Sequence, residues 1–237
     1  MKAIDLRQGD CLEIMKDIPY KIFRLSGGMR IMKACDVIEI FSYISEVMTQ
    51  NKEYLIELDQ QNGDGDLGIS MSAGFNAVAS YLKTTEEKDL GRLFMSCSSK
   101  FNEAAPSSLG TILSLGMMGM ARALKGKEEA NLLEVAEAME QGIQKIMDKA
   151  KSKPGEKTIL DALFPAVEVL KANSSCDIKE AVRAAYEAAA AGSERTRNMK
   201  SVHGRAAYYG DKSIGILDGG SVAGKLIFEG IYKYYSR

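Results

Sequence analysis

From residue 29 onward the sequence predicts an all-α fold, an antiparallel helical barrel or bundle of about eight helices. Three observations predict it. Apolar residues recur at spacings of three and four, as where Val37, Ile38, Ile40, Phe41, Ile44 and Val47 mark one face over 36–50. The breaks between such stretches are short and carried by Gly, Pro, Ser and Asn, which implies antiparallel neighbours. No strand-like alternation of useful length follows residue 28, and no internal repeat is found.

The elements follow in order. After 36–50 comes a short helix over 52–59, closed by the Gly- and Asn-rich loop 62–68. Helices are expected over 69–83 and 88–104, the second stopped by the loop 105–107 around Pro106. The stretches 108–125 and 128–151 lead to a loop over 152–156 containing Pro154 and Gly155. A helix over 157–172 ends at the Asn- and Ser-bearing loop 173–176. The helix expected over 177–199 is Ala-rich between 181 and 191, which favours helix and allows close packing. A long loop over 202–218 precedes a last helix, 219–235.

The composition narrows the partners. The 237 residues allow one large domain or two small ones, and 46% hydrophobic residues suffice for a sizeable core. With 31 basic and 32 acidic residues and no basic run, nucleic acid is not expected as a partner. No apolar run approaches the ~18 residues of a membrane span, and no signal peptide is seen, so no membrane association is expected. Cys11, Cys35, Cys97 and Cys176 form no CxxC pair, and with 13 methionines they fit a reducing, cytoplasmic location.

The chemistry concentrates in Asp59-Gln60-Gln61-Asn62-Gly63-Asp64-Gly65-Asp66-Leu67-Gly68. Asp59 falls at the end of a helix, where a carboxylate faces the negative end of the dipole. Gly65 lets Asp64 and Asp66 turn toward one point. Three like charges this close call for a cation, and oxygen-only ligands point to Mg²⁺ or Ca²⁺. A helix opening near Ile69 would present free amides to an anion. Metal between carboxylates and phosphate oxygens is the recurring form of a Mg-nucleotide site. The competing reading is a solvated turn in which Asp66 caps the next helix.

Other patterns fail on their context. Gly63-x-Gly65-x-x-Gly68 follows a polar helix rather than the strand a dinucleotide fingerprint requires. An EF-hand loop from Asn62 would need Gly at Leu67 and Glu at Ala73. Gly219 to Lys225 nearly completes a P-loop, but Leu226 replaces the Mg-holding hydroxyl and no strand precedes it. Ser107-Ser108 and Asp218-Gly219-Gly220 read equally as helix caps, and Lys153 to Thr158 as an ordinary turn. Arg205, in a glycine-bounded loop, would pair with phosphate or with a surface acid. His203, the lone histidine, reads as structural.

Residues 1–28 differ from the rest. Met1 to Pro19 resembles the opening strand, Gly-Asp-Cys turn and helix of amino-group DNA methyltransferases. That family's Asp/Asn-Pro-Pro-Tyr motif is absent from the whole chain. One βα unit without a sheet cannot bind a methyl donor, so 1–28 reads as an appended leader and 29–237 as the functional domain.

Taken in order, the remaining segments resemble the DhaL family, the nucleotide-binding L subunit or domain of dihydroxyacetone kinases. Asp59 to Gly68 stands where the family has Asp-x-x-x-Gly-Asp-x-Asp-x-Gly, and Ser107 to Thr111 where it has a small residue-x-x-Gly-Thr. Pro154 to Ala162 matches Pro-Gly-Asp/Glu-Lys-Thr-x-x-Asp-Ala, and Gly204 to Gly215 matches Gly-Arg-Ala-x-Tyr-x-Gly-x-x-Ser-Ile-Gly. Asp218-Gly219-Gly220 replaces Asp-Pro-Gly.

The resemblance implies two Mg²⁺ held by Asp59, Asp64 and Asp66, and ADP or ATP at one end of an all-α barrel. The amides of Leu67, Gly68, Ile69 and Ser70 would face the phosphates. Ala105, Ser107, Ser108, Ala150, Thr158 and Ile159 would line base and ribose, and catalytic Arg205 with Asp218, Gly219 and Gly220 would close the site. It further implies phosphoryl transfer to a triose or related ketose or polyol held by a separate K subunit. A phosphotransferase-system protein is the alternative donor to ATP, and a homodimer is compatible with the pattern. The family's common His after Asp66 is here Leu67, its Asn is Ser70, and Ala104-Ala105-Pro106 replaces a glycine-rich stretch. These departures leave the metal ligands intact and point to a paralogue with another substrate. A regulatory or scaffold protein retaining the fold is the alternative of a different class.

Overall fold

The computed structural model describes residues 31–237. The expected leader over 1–28 lies outside the described residues. Among the described residues nine α-helices dominate: α1 Ala34–Gln50, α2 Lys52–Asp59, α3 Leu67–Leu82, α4 Leu90–Ala104 and α5 Ser108–Ala123. They continue as α6 Leu132–Ala150, α7 Leu160–Ala172, α8 Ile178–Arg195 and α9 Gly219–Ser236.

Eight of these helices close a ring. Each of α3 to α8 packs on its successor, α1 packs on α3, and α9 returns to α1. The expected all-α barrel is therefore what forms, with α2 as a short extra helix leading into α3. The α1 stripe expected from the sequence is buried, including Val37, Ile40, Phe41, Ile44 and Val47. Inside the ring Phe75 meets Phe101 edge-on at 4.8 Å between centroids, a geometry that adds to area burial. An apolar cavity of about 130 Å³, lined among others by Phe41, Ile143 and Phe228, lies in the interior.

Small residues let the helices approach. A Cβ at Gly119 of α5 would stand 2.7 Å from the Gly142 Cα of α6, so the crossing of α5 and α6 depends on both glycines. On α8, a Cβ at Gly192 would run into the Asp161 carbonyl and stand 3.0 Å from Pro165 Cγ. Pro165 has no amide to offer that carbonyl four residues back, and α8 covers it instead.

Five expectations are corrected. Two short strands exist after residue 28: β1 Ile31–Lys33 pairs antiparallel with β2 Glu129–Asn131, Met32 facing Ala130. Three-residue strands are too short to show alternation, and the partners lie far apart in sequence. Because of β2, the helix expected from 128 begins at Leu132, where Asn131 and Glu134 form a reciprocal capping box. The helix expected from 157 begins at Leu160, because Lys157 takes a positive φ of 59°. The loop 202–218 is not featureless: Arg205–Ser213 winds into 3₁₀ turns, with Gly210 breaking the run. A shorter 3₁₀ turn, Thr196–Asn198, replaces the last turn of the helix expected over 177–199.

The connections after α2, α4, α6 and α8 fall at one end of the ring, opposite β1 and β2. Each is also the start of the next odd-numbered helix, so four helix N-termini gather at that end. No helix among the described residues is long and apolar enough to cross a membrane.

Candidate functional site

Asp59, Asp64 and Asp66 each present a carboxylate oxygen within 4.8 Å of the others. Backbone geometry brings this about. The Asp59 carbonyl accepts the Gly63 amide at 2.6 Å, and the Asp59 carboxylate accepts the Gly65 amide at 2.9 Å. Gly65 has φ of 76°, which a side chain would strain. A Cβ at Gly63 would stand 2.8 Å from the Asp59 Cγ, so glycine there keeps that carboxylate in place.

Asp66 occupies the N-cap position of α3, yet its side chain accepts no capping hydrogen bond. The capping reading of the sequence is therefore not realised, and the carboxylate is left to the cluster. Burial, then the charges of Asp64 and Asp59, push its carboxyl above the ordinary range, partly offset by Arg205. An all-oxygen, mutually repelling trio suits a hard divalent cation, so the residues present fit Mg²⁺.

Arg205 reaches the cluster from the α8–α9 connection and pairs with Asp64. Both side chains are substantially exposed, so the pair itself adds little to stability. Its interest is positional: 3₁₀ turns 139 residues from the aspartates would not bring a guanidinium there by local preference.

The start of α3 adds backbone donors. The Ser70 amide bonds the Asp66 carbonyl at 2.9 Å and the Ser70 hydroxyl donates to the Leu67 carbonyl. That leaves the earlier amides, of Leu67, Gly68 and Ile69, as those a helix start cannot satisfy internally. Leu67, Gly68 and Ser70 are buried while Ile69 is 54% exposed. A Cβ at Gly219 would stand 2.5 Å from Leu67 Cδ2, and one at Gly220 3.4 Å from the Ile159 amide. The starts of α3 and α9 and the residue before α7 thus meet.

Asp218 caps α9, accepting the Ser221 amide at 2.6 Å. Burial above all, with the charges of Asp161 and Asp59, pushes its carboxyl up to about 7 against the Ser221 amide and Lys157. Between about pH 4, the unfolded carboxylate range, and pH 7 the folded chain binds more protons than the unfolded one. Stability contributed by this group therefore falls as pH rises through that window. Asp218→Asn retains a capping acceptor, and is expected to flatten the slope and to melt higher than the parent above pH 7. Thermal melts from pH 5 to 8 check this; a parent–variant gap independent of pH would contradict it.

The remaining expected residues fall on neighbouring turns. Ser107 caps α5 by accepting the Gly110 amide at 3.1 Å, and Ala105 is fully buried beneath it. Ser108 is exposed, Ala150 ends α6, and Ile159 is buried beside Gly220. Thr158 is half-buried, its amide held by Asp161.

Three groups here were passed over in the sequence. Asp161, almost fully buried, accepts the Gly155 amide at 2.6 Å and the Thr158 amide at 2.7 Å, shaping the turn before α7. Burial raises its carboxyl, against those bonds. Lys157, 3% exposed, donates to carbonyls of the α8–α9 connection. Glu156 pairs with His203 at 2.6 Å, which holds its carboxyl below the ordinary range. His203 is thus a structural partner, as its lone position suggested. The signal for all three lay in Pro-Gly-Glu-Lys-Thr-x-x-Asp, where the polar residues outnumber what a turn alone needs.

Comparison with known proteins agrees with this architecture. Residues 61–233 match the family described as DAK2 domain. The chain is 28% identical over 180 residues to the ADP-binding subunit DhaL of the PEP-dependent dihydroxyacetone kinase of Escherichia coli (strain K12), covering 75% of this chain and 86% of that protein. It is 31% identical over 185 residues to the ADP-binding subunit DhaL of PEP-dependent dihydroxyacetone kinase 1 of Listeria innocua, covering 77% and 87%. Among solved structures, the dihydroxyacetone kinase from C. freundii in complex with AMP-PNP and Mg²⁺ superposes with a TM-score of 0.70 at 23% identity. That alignment covers 91% of this chain and 38% of the longer one, and shows a shared fold.

Proposed function

Because the chain belongs to the DhaL family, that of the DAK2 domain, we propose that it is the nucleotide-binding subunit of a dihydroxyacetone-type kinase. It would present Mg-ADP or Mg-ATP for phosphoryl transfer to a triose or related ketose or polyol on a separate K subunit. One observation carries the reading: the convergence of Asp59, Asp64 and Asp66 beside the open start of α3, with Arg205 across from them. The proposed setting is cytoplasmic.

Each residue then has a task. Asp59, Asp64 and Asp66 would hold Mg²⁺, two ions in the reading from the family pattern. When bound, the metal neutralises phosphate charge. The amides of Leu67, Gly68 and Ile69 would take phosphate oxygens at the positive end of the α3 dipole. Arg205 would contact the terminal phosphate as the catalytic guanidinium, and its place against Asp64 keeps it over the site in the meantime. Asp218, Gly219 and Gly220 would close the nucleotide from the α9 side, with Ala105, Ser107, Ser108, Ala150, Thr158 and Ile159 around base and ribose.

The site contains no evident base for a sugar hydroxyl, which accords with a base supplied by the K subunit. The relatives named PEP-dependent support the mode in which ADP stays bound and is reloaded by a phosphotransferase-system protein. Calorimetric titration of ADP and ATP, with Mg²⁺ and then with EDTA, tests the proposal. Binding is expected only with Mg²⁺, is expected to be lost in Asp64→Asn, and co-purified ADP that resists removal would mark the relay mode. No binding in either condition would overturn the reading, and binding without transfer to any K partner would favour the scaffold alternative.

A further inference from the structure

Lys157 is a fully interior ammonium whose three donors are all engaged. Its Nζ donates to the carbonyls of Met199 at 3.2 Å, Ser213 at 2.6 Å and Ile216 at 2.6 Å. These acceptors lie 42, 56 and 59 residues further along the chain. They follow or end the two 3₁₀ segments of the α8–α9 connection, where carbonyls lack helical partners. Three donors meeting three carbonyls satisfy the ammonium completely, whereas an unpartnered buried charge would be heavily penalised.

The cost accepted for this arrangement is visible in the backbone. Lys157 has φ of 59°, a left-handed conformation that a residue with a long side chain seldom adopts. Asp161 holds the turn on both sides of it through the Gly155 and Thr158 amides. On the far side of the tether, Ser213 accepts the Ser201 amide and donates to the Gly210 carbonyl, closing the segment on itself. Arg205 sits between Met199 and Ser213, and so between two of the three anchor points.

We infer that Lys157 is a positioning residue: by gathering the carbonyls of Met199, Ser213 and Ile216 it holds the 199–216 segment so that Arg205 lies over the aspartate cluster. The inference rests on the proposed nucleotide site for its functional consequence, though not for the tether itself. The three hydrogen bonds of the Lys157 ammonium go to this segment rather than to Asp59, Asp64, Asp66 or Arg205, and its charge also favours the ionised form of Asp218. Its hydrogen bonds all fall on one connection, so losing them is expected to loosen that connection first.

Hydrogen exchange and nucleotide release together test it. Lys157→Met keeps the aliphatic stem and removes the donors. Amides over 199–216 are expected to exchange faster while α1 and α3–α9 keep their protection, and Mg-ADP is expected to dissociate roughly tenfold faster, a coupling of ordinary size. In an Arg205→Ala background the same substitution is expected to leave the release rate unchanged, since the residue it positions is gone. Unchanged protection over 199–216, or an undiminished effect on release in the Arg205→Ala background, would overturn the inference. Should Lys157→Met lose protection everywhere, Lys157→Gln keeps a polar donor in the interior but offers two N–H groups where the ammonium offers three. It is expected to raise exchange over 199–216, and unchanged exchange there would overturn the inference. If the unsubstituted chain binds no Mg-nucleotide, the proposed function fails while the exchange results still decide the tether.

Discussion

Asp66→Asn is expected to fold, to melt no lower than the parent in EDTA, and to bind Mg-ADP at least about 100-fold more weakly. The two halves of this expectation share one cause. In the metal-free chain Asp66 is unfavourably ionised, because burial and the charges of Asp64 and Asp59 all oppose its negative form. Its side chain caps nothing, so an amide in its place removes repulsion without removing a hydrogen bond. With the proposed Mg²⁺ present, the same concentration of charge would become the binding energy. Even the partners surrounding a metal's direct ligands cost 10–100-fold when lost, so a direct ligand should cost about 100-fold or more. Thermal melts in EDTA and calorimetry with Mg-ADP separate the effects. A variant binding as tightly as the parent would remove Asp66 from the metal site.

Gly68→Ala is expected to lower both stability and nucleotide affinity, a combination unusual for one added methyl group. In an isolated helix the change would favour folding by roughly 1 kcal/mol. Here α3 crosses α2 at this residue: the new Cβ would drive into the Lys52 carbonyl oxygen and stand 2.9 Å from Ile56 Cγ1. Backbone cannot rotate away as a flexible side chain would, so α3 must shift relative to α2. Overpacking of this kind typically costs 1–3 kcal/mol, which against the propensity gain leaves a net loss of up to about 2 kcal/mol. Since Asp59 ends α2 and Asp66 precedes α3, the same shift separates the carboxylates. A fall in melting temperature of several degrees with weakened Mg-ADP binding is the expected result. A variant that is more stable than the parent would show that the α2–α3 contact yields readily.

Much of the site was legible before the fold was known. The aspartates, the glycines between them and the helix that follows lie within ten residues of sequence, so their proximity is a local matter of turn geometry. Gly65 at φ of 76° is the kind of residue whose conformation can be read from its identity. Arg205 was legible only as a residue type in a glycine-bounded loop. The partner it takes, Asp64, depends on how α8 and α9 sit against α3. Lys157 was the harder case, since a lysine in a polar turn is ordinarily solvated. It is interior because the α8–α9 connection folds over it, a long-range event with no periodic signature.

Helix existence was equally legible and helix starts less so. The stripe of α1 repeats every three to four residues and leaves one solution. The starts of α6 and α7 moved inward because β2 and the left-handed Lys157 claimed residues that helical propensity would have continued. The sequence by itself determined the helices and the aspartate turn, because each rests on interactions within about one to four turns of chain. Only the tertiary structure decided that Arg205 faces Asp64, that Gly219 abuts Leu67 and that Lys157 ties the last connection down. Those contacts join segments tens to more than a hundred residues apart, and their geometry follows from closure of the ring rather than from any local preference.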